Sequence, residues 1–117
     1  MKNIVDKTIQ IEDLTIFIKI FKLYKSYLAL ISDQKELGIG NITLSSPPTI
    51  KGMKSTSSSF KLFGLQNDLS TSIIAKKLSY VLKSPVLVLF FLKSEDHEEE
   101  IIKSIVNFIN IQFKDLK

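Results

Sequence analysis

The chain has 117 residues, 44% of them apolar, a size and composition that suit one folded domain spanning 1–117 and exclude a disordered polymer. It has no cysteine, which removes disulfides, thiol nucleophiles and most zinc sites and fits a reducing compartment. The formal charge is +4, but all 16 basic residues are lysines scattered along a chain with no arginine and no tryptophan, a pattern that argues against nucleic-acid recognition.

Lys7 to Ile11 alternate as a first strand, and Glu12-Asp13 breaks it. Leu14 to Leu23, rich in Ile and Phe, forms a second strand, and Lys25-Ser26 turns the chain into a third, Tyr27 to Ile31. Short turns between these strands predict antiparallel neighbours. After a loop, Ile39 to Leu44 reads as a fourth strand that Pro47-Pro48 ends, because proline donates no ladder hydrogen bond. The Ser/Pro-rich segment 46–59 reads as a surface loop running into a fifth strand, about Ser58 to Phe63.

A helix is expected from about Leu69 to Leu82, capped by Asp68 or Ser70. Ile74, Leu78, Val81 and Leu82 share one face with Ile73 beside them, and Lys76, Lys77 and Lys83 face outward. Ser84-Pro85 stops the helix before the most apolar strand, Val86 to Leu92. The last helix starts near Ser94-Glu95-Asp96, with Asp96 and Glu99 spaced as a capping box and Glu98-Glu99-Glu100 at its positive end. Ile101, Ile105, Phe108, Ile109 and Phe113 carry its apolar stripe, which Leu116 extends. The predicted class is therefore α/β (α+β): a mainly antiparallel sheet of about six strands, in the order β-β-β-β-β-α-β-α, with two helices packed on one face.

A sheet with helices on one side should alternate apolar and polar residues, and the central strands do not. The second strand carries Phe17, Lys19, Phe21 and Leu23 on one face and Ile16, Ile18, Ile20 and Lys22 on the other. In the third strand Leu28 and Leu30 oppose Tyr27, Ala29 and Ile31; in the last, Leu87, Leu89 and Phe91 oppose Val86, Val88, Phe90 and Leu92. Two helices cover one face and leave an apolar face bare, the mark of an interaction surface. Burying about 800 Å² at about 25 cal/mol per Å² would contribute on the order of 20 kcal/mol before association costs, enough to drive a dimer. The dimer-interface candidates are Ile16, Phe17, Ile18, Ile20, Phe21, Leu28, Leu30, Leu87, Leu89 and Phe91, with the parity that faces the partner left open. A helix on each face of a fully buried sheet would satisfy the same pattern without a partner.

No catalytic, cofactor-binding or metal-binding residue emerges. His97 is the single histidine and reads as solvated in the first turn of a charged helix. Glu98-Glu99-Glu100 fans around a helix axis instead of converging on a cation. Gly38-Ile39-Gly40 lacks the third glycine and following helix of a dinucleotide site, and Lys51-Gly52-Met53-Lys54-Ser55-Thr56 lacks phosphate-loop spacing. The N-terminal residues hold no stretch of signal-peptide length, and the longest apolar run, Val86 to Leu92, falls far short of the roughly 18 residues of a membrane span. The reading is of a soluble, non-enzymatic protein with no membrane contact, in the cytoplasm and with the nucleus as a second compartment. The sequon Asn41-Ile42-Thr43 is then a chance match.

In the second half, Phe60-Lys61-Leu62-Phe63-Gly64 ends a strand at glycine, and Asn67-Asp68-Leu69-Ser70-Thr71-Ser72 enters a helix carrying Ile74-Ala75-Lys76-Lys77-Leu78. Pro85 to Leu92 and an acidic-capped terminal helix follow. This resembles the eukaryotic proteasome assembly chaperones of the third and fourth kinds, most nearly the fourth, whose strand ending in Leu-Leu-Gly leads through a Ser/Thr/Asp-rich cap to a helix with an Ala-x-x-Leu core. The likeness extends over Glu12 to Ser45 and fails over 46–59. It implies a β-sandwich-like dimer with the helices outside. It further implies a heterodimer with a sister chaperone that binds proteasome α-type subunits, promotes assembly of the 20S α-ring, and needs no catalytic residue or cofactor. Which subunit is bound, and whether the chain forms a homodimer in isolation, stay open. The alternative is a roadblock- or longin-like dimeric scaffold subunit of a trafficking or GTPase-regulating complex, whose dimers pair sheets edge to edge.

Overall fold

The computed structural model describes residues 2–35, 40–47, 56–61, 68–92 and 98–114. The elements are β1 (Lys2–Ile11), β2 (Leu14–Leu23), β3 (Ser26–Ser32), β4 (Asn41–Ser46), β5 (Thr56–Lys61), α1 (Asp68–Leu82), β6 (Val86–Phe91) and α2 (Glu98–Gln112). They form an α+β fold with a six-stranded sheet in the order β1-β2-β3-β6-β4-β5.

β1, β2 and β3 make an antiparallel meander through two-residue connections, with Ile11 opposite Leu14 and Leu23 opposite Ser26. Each connection places a non-glycine residue in the left-handed region, Glu12 at φ 55° and Lys25 at φ 54°. An irregularity between Asn3 and Val5 shifts the β1 register, so Val5 meets Ile20 and Ile9 meets Ile16. β1 begins at Lys2, five residues before the expected start at Lys7, because Val5 is buried in the core opposite Ile20 and draws its polar neighbours into the strand.

The centre of the sheet is filled by the last strand, β6. β6 lies between β3, to which it is parallel, and β4, to which it is antiparallel. β5 is antiparallel to β4 in turn, so β5 and β6 run the same way. α1 is the crossover that joins them, passing over β4. The sheet is mainly antiparallel, as expected, and the strands joined by short turns are antiparallel neighbours; the single parallel pair, β3 with β6, lies at its middle.

Within the described residues β4 spans Asn41–Ser46, two residues past the expected end at Leu44, and β5 spans Thr56–Lys61, starting two residues before the expected Ser58. Ile39 and Phe63, the other expected bounds, lie outside the described residues. The β6 register places Thr43 opposite Val88 and Ser45 opposite Val86, so pairing with β6 and not local propensity sets the boundary. Pro47 follows β4 directly, as expected of a residue that cannot donate.

Both helices pack on one face. α1 lies against β4, β5 and β6 and beside α2, and α2 reaches β1. One core cluster joins Ile16, Ile18, Ile20, Ala29, Ile31, Val86, Val88 and Phe90 of the sheet to Ile74, Leu78 and Val81 of α1 and to Ile101, Ile105 and Ile109 of α2. α1 crosses β4 on small polar groups: Ser79 Oγ donates to the Lys76 carbonyl (3.1 Å) and accepts from Ser45 Oγ (3.2 Å).

Beyond its last turn, α1 ends on Lys83 at φ 54°, and the Ser84 amide donates back to the Ser79 carbonyl at 3.3 Å. This is the 6→1 bond of a Schellman motif, with lysine in the position that favours glycine. One residue of the expected α1 stripe is corrected: Ile73 is 43% exposed. At about 100° per residue it lies one step away from Ile74 on the side opposite Ala75, which turns it outward. Lys76 and Lys83 are exposed as expected, and Lys77 is half-buried. The capping-box residue Asp96, His97 and Leu116 lie outside the described residues, as do 48–55 and Gly38-Ile39.

Candidate interaction face

The face of the sheet away from the helices carries no element of this chain among the described residues. Strand register arranges its side chains in rungs. One rung runs Asp6, Lys19, Leu30, Leu89, Ile42 across five strands; the next runs Asn3, Phe21, Leu28, Leu87, Leu44. Phe17 and Phe91 lie along the same face, each paired in register with Ser32. Their opposites one residue away are in the core.

The sequence candidates therefore divide by parity. Ile16, Ile18 and Ile20 are buried beneath the helices. Phe17, Phe21, Leu28, Leu30, Leu87, Leu89 and Phe91 are on the open face, half-buried by their neighbours within the sheet. All are fixed by strand backbone, not loops, so the surface is preformed.

Ile42 and Leu44 join this face, and sequence reading did not select them. β4 alternates Ile42, Thr43, Leu44, Ser45, a pattern that ordinarily turns the apolar residues to the core. Here the order is reversed. Thr43 and Ser45 are buried under α1, while Leu44 is 49% exposed on the open side. The signal was present in the alternation, but its sign depends on which side the helices occupy.

Four central strands at about 4.8 Å spacing, with about six residues each at 3.3 Å, give roughly 400 Å² of projected apolar surface. That lies within the roughly 300–600 Å² of the largest, often functional, patches on monomers. The flanking polar positions Asn3, Asp6, Thr8 and Ser46 supply a rim around this centre, the usual anatomy of a protein interface.

Lys19 sits half-buried between Phe17 and Phe21 in the strand and opposite Leu30, with Asp6 across on β1. A lysine stem can lie along apolar surface while its ammonium reaches water, so this position tolerates an open face and demands a counter-charge from anything that covers it.

Among the described residues no group of three or more His, Cys, Asp or Glu side chains converges on a common point, and no helix is long and apolar enough to cross a membrane. Glu99 and Glu100 are exposed, and Glu99 lies 3.6 Å from Lys103, one helical turn on.

No protein-family model matches the chain, and no curated protein matches it. Its fold is similar to that of a chain in the crystal structure of a chaperone complex for yeast 20S proteasome assembly. The two align over 96% of this chain and 97% of that chain, with a TM-score of 0.56 and 13% sequence identity. The likeness spans all the layers described above and is one of fold.

Proposed function

We propose that this protein is a non-catalytic assembly chaperone that pairs with a sister subunit through its open sheet face and promotes assembly of the 20S proteasome α-ring by binding α-type subunits. The observation that carries this reading is the bare apolar face built by Phe17, Phe21, Leu28, Leu30, Leu87, Leu89 and Phe91. The fold likeness to a subunit of a proteasome-assembly chaperone complex supports the identity of the assembly. The resemblance of residues 60–92 to the same family supports it from the sequence side.

A chaperone of this kind holds clients by shape and desolvation and releases them without chemistry, so it needs no cofactor. Pairing face to face would place both pairs of helices outside and leave the sheet edges free. The cytoplasm, and the nucleus with it, is the compartment in which such clients would be met.

A tagged chain recovered from cells of its source, with co-purifying proteins identified by mass spectrometry, tests the proposal. The expected result is a stoichiometric small sister subunit together with α-type proteasome subunits and without β-type subunits. Recovery of GTPase or trafficking components in their place would overturn it in favour of a scaffold role.

A further inference from the structure

One end of the sheet carries lysines and, among the described residues of its strands and turns, no carboxylate. At one end Lys2 stands opposite Lys22 on neighbouring strands, and Lys22 stands opposite Tyr27 on its other side. Lys25 occupies the β2–β3 turn, its Nζ 5.3 Å from the centre of the Tyr24 ring. The Tyr27 amide donates to the Pro85 carbonyl at 3.0 Å, which brings the end of α1, and Lys83 with it, to the same end.

Lys2, Lys22, Lys25 and Lys83 are all exposed, and among the described residues none has an ion-pair partner. The nearest carboxylate along β1 is Asp6, about 13 Å further on at strand rise. Glu12, Asp13 and Asp33 lie at the opposite end of the sheet, with Lys35 and Lys61.

Like charges directly opposite on paired strands destabilise a sheet. The fold therefore gains nothing from the Lys2–Lys22 pair, and a cluster of unneutralised lysines attracts an anionic partner. We propose that this lysine end docks a carboxylate-rich segment of a partner protein, at a surface separate from the open sheet face.

From β1 to β6 is three strand spacings, about 14 Å, the reach of about four extended residues. A short acidic segment laid across the strand ends would meet Lys2 and Lys22, then Lys25, then Lys83. Lysine ammonium groups act as point charges suited to carboxylates. Phosphate-backbone recognition favours the guanidinium fork, and this chain has no arginine. Tyr24, 85% exposed, already carries Lys25 over its ring, which removes one stacking face that a single-stranded base would use.

The test is fluorescence anisotropy of a labelled peptide of alternating glutamate and serine, titrated with the full-length protein at low and high salt. The expected result is salt-sensitive binding that Lys22→Ser/Lys25→Ser/Lys83→Ser weakens at least about tenfold. The charge-matched control Lys7→Ser/Lys35→Ser/Lys103→Ser should leave it nearly unchanged. Leu89→Asp, on the open face, should also leave it unchanged, which separates this site from the pairing surface.

Absence of peptide binding, or equal loss in both triple variants, would overturn the proposal. So would tighter binding of a single-stranded oligonucleotide of equal charge that the first triple variant abolishes, which would make the site a phosphate surface. Salt-sensitive self-association of the protein that Glu12→Gln/Asp33→Asn removes would assign the lysine end to a second copy instead.

Discussion

Ile18 and Lys19 are adjacent on β2, and Val88 and Leu89 are adjacent on β6, yet each pair is divided between two environments. Ile18 and Val88 are sealed under α1 and α2, with 2% and 0% of their surfaces exposed, while Lys19 and Leu89 remain half-open on the bare side. The strands are almost equally apolar on both sides. What separates the faces is the coverage that the helices supply. One face is the core of this chain, and the other has the composition of a core that lacks its second half. The difference teaches that a two-sided apolar strand marks incompleteness when the chain has helices for only one side.

Substitutions that place the same charge on either side should break the symmetry of composition most sharply. Ile18→Asp puts an unpaired carboxylate under both helices and is expected to cost about 4 kcal/mol or more, a large part of the stability of a domain this size. Chemical denaturation should show a lost or greatly shifted transition. Leu89→Asp, one rung away on the open face, should leave the fold intact within about 1 kcal/mol. It should weaken the proposed face-to-face pairing by about 100-fold, near 2.7 kcal/mol, in sedimentation equilibrium. If Leu89→Asp kept full association, the open face would not be the pairing surface.

Smaller effects sharpen the comparison within the covered face. Its β4 side is polar, and Ser79→Ala removes the hydroxyl that links Lys76 of α1 to Ser45 of the sheet. The expected loss is about 1 kcal/mol in urea unfolding, with association untouched. Lys83→Gly should do the reverse. It relieves a side chain at φ 54° and should stabilise the chain by about 0.5–1 kcal/mol, visible as a small rise in melting temperature.

Much of this architecture was legible because local and global signals agreed. β2, α1 and β6 fall within about one residue of the boundaries that their apolar runs, cap and Ser84-Pro85 stop announce. The element order followed from the same signals. The strand order did not, since nothing in Val86 to Phe91 states that it will enter between β3 and β4.

Parity was illegible for a related reason. Ile16, Ile18 and Ile20 are no more apolar than Phe17 and Phe21, so only helix placement decides which set is covered. β4 misled through its own regularity, because Thr43 and Ser45 serve a close helix crossing while Ile42 and Leu44 face outward. The lysine end was invisible as a cluster, since Lys2, Lys22, Lys25 and Lys83 are far apart in the chain and meet only through strand register and the bond between Tyr27 and Pro85.

The late position of β6 has a consequence for how the chain reaches this state during synthesis. The β1–β2–β3 meander and the β4–β5 hairpin share no strand until residues 86–91 arrive to bridge them. A growing polypeptide thus carries two half-sheets with unpaired edges and uncovered apolar sides until residue 91 has been made. Long-range closure of this kind slows folding and lengthens exposure to aggregation. Under the function proposed above, a helper of assembly would itself spend its early life as a client.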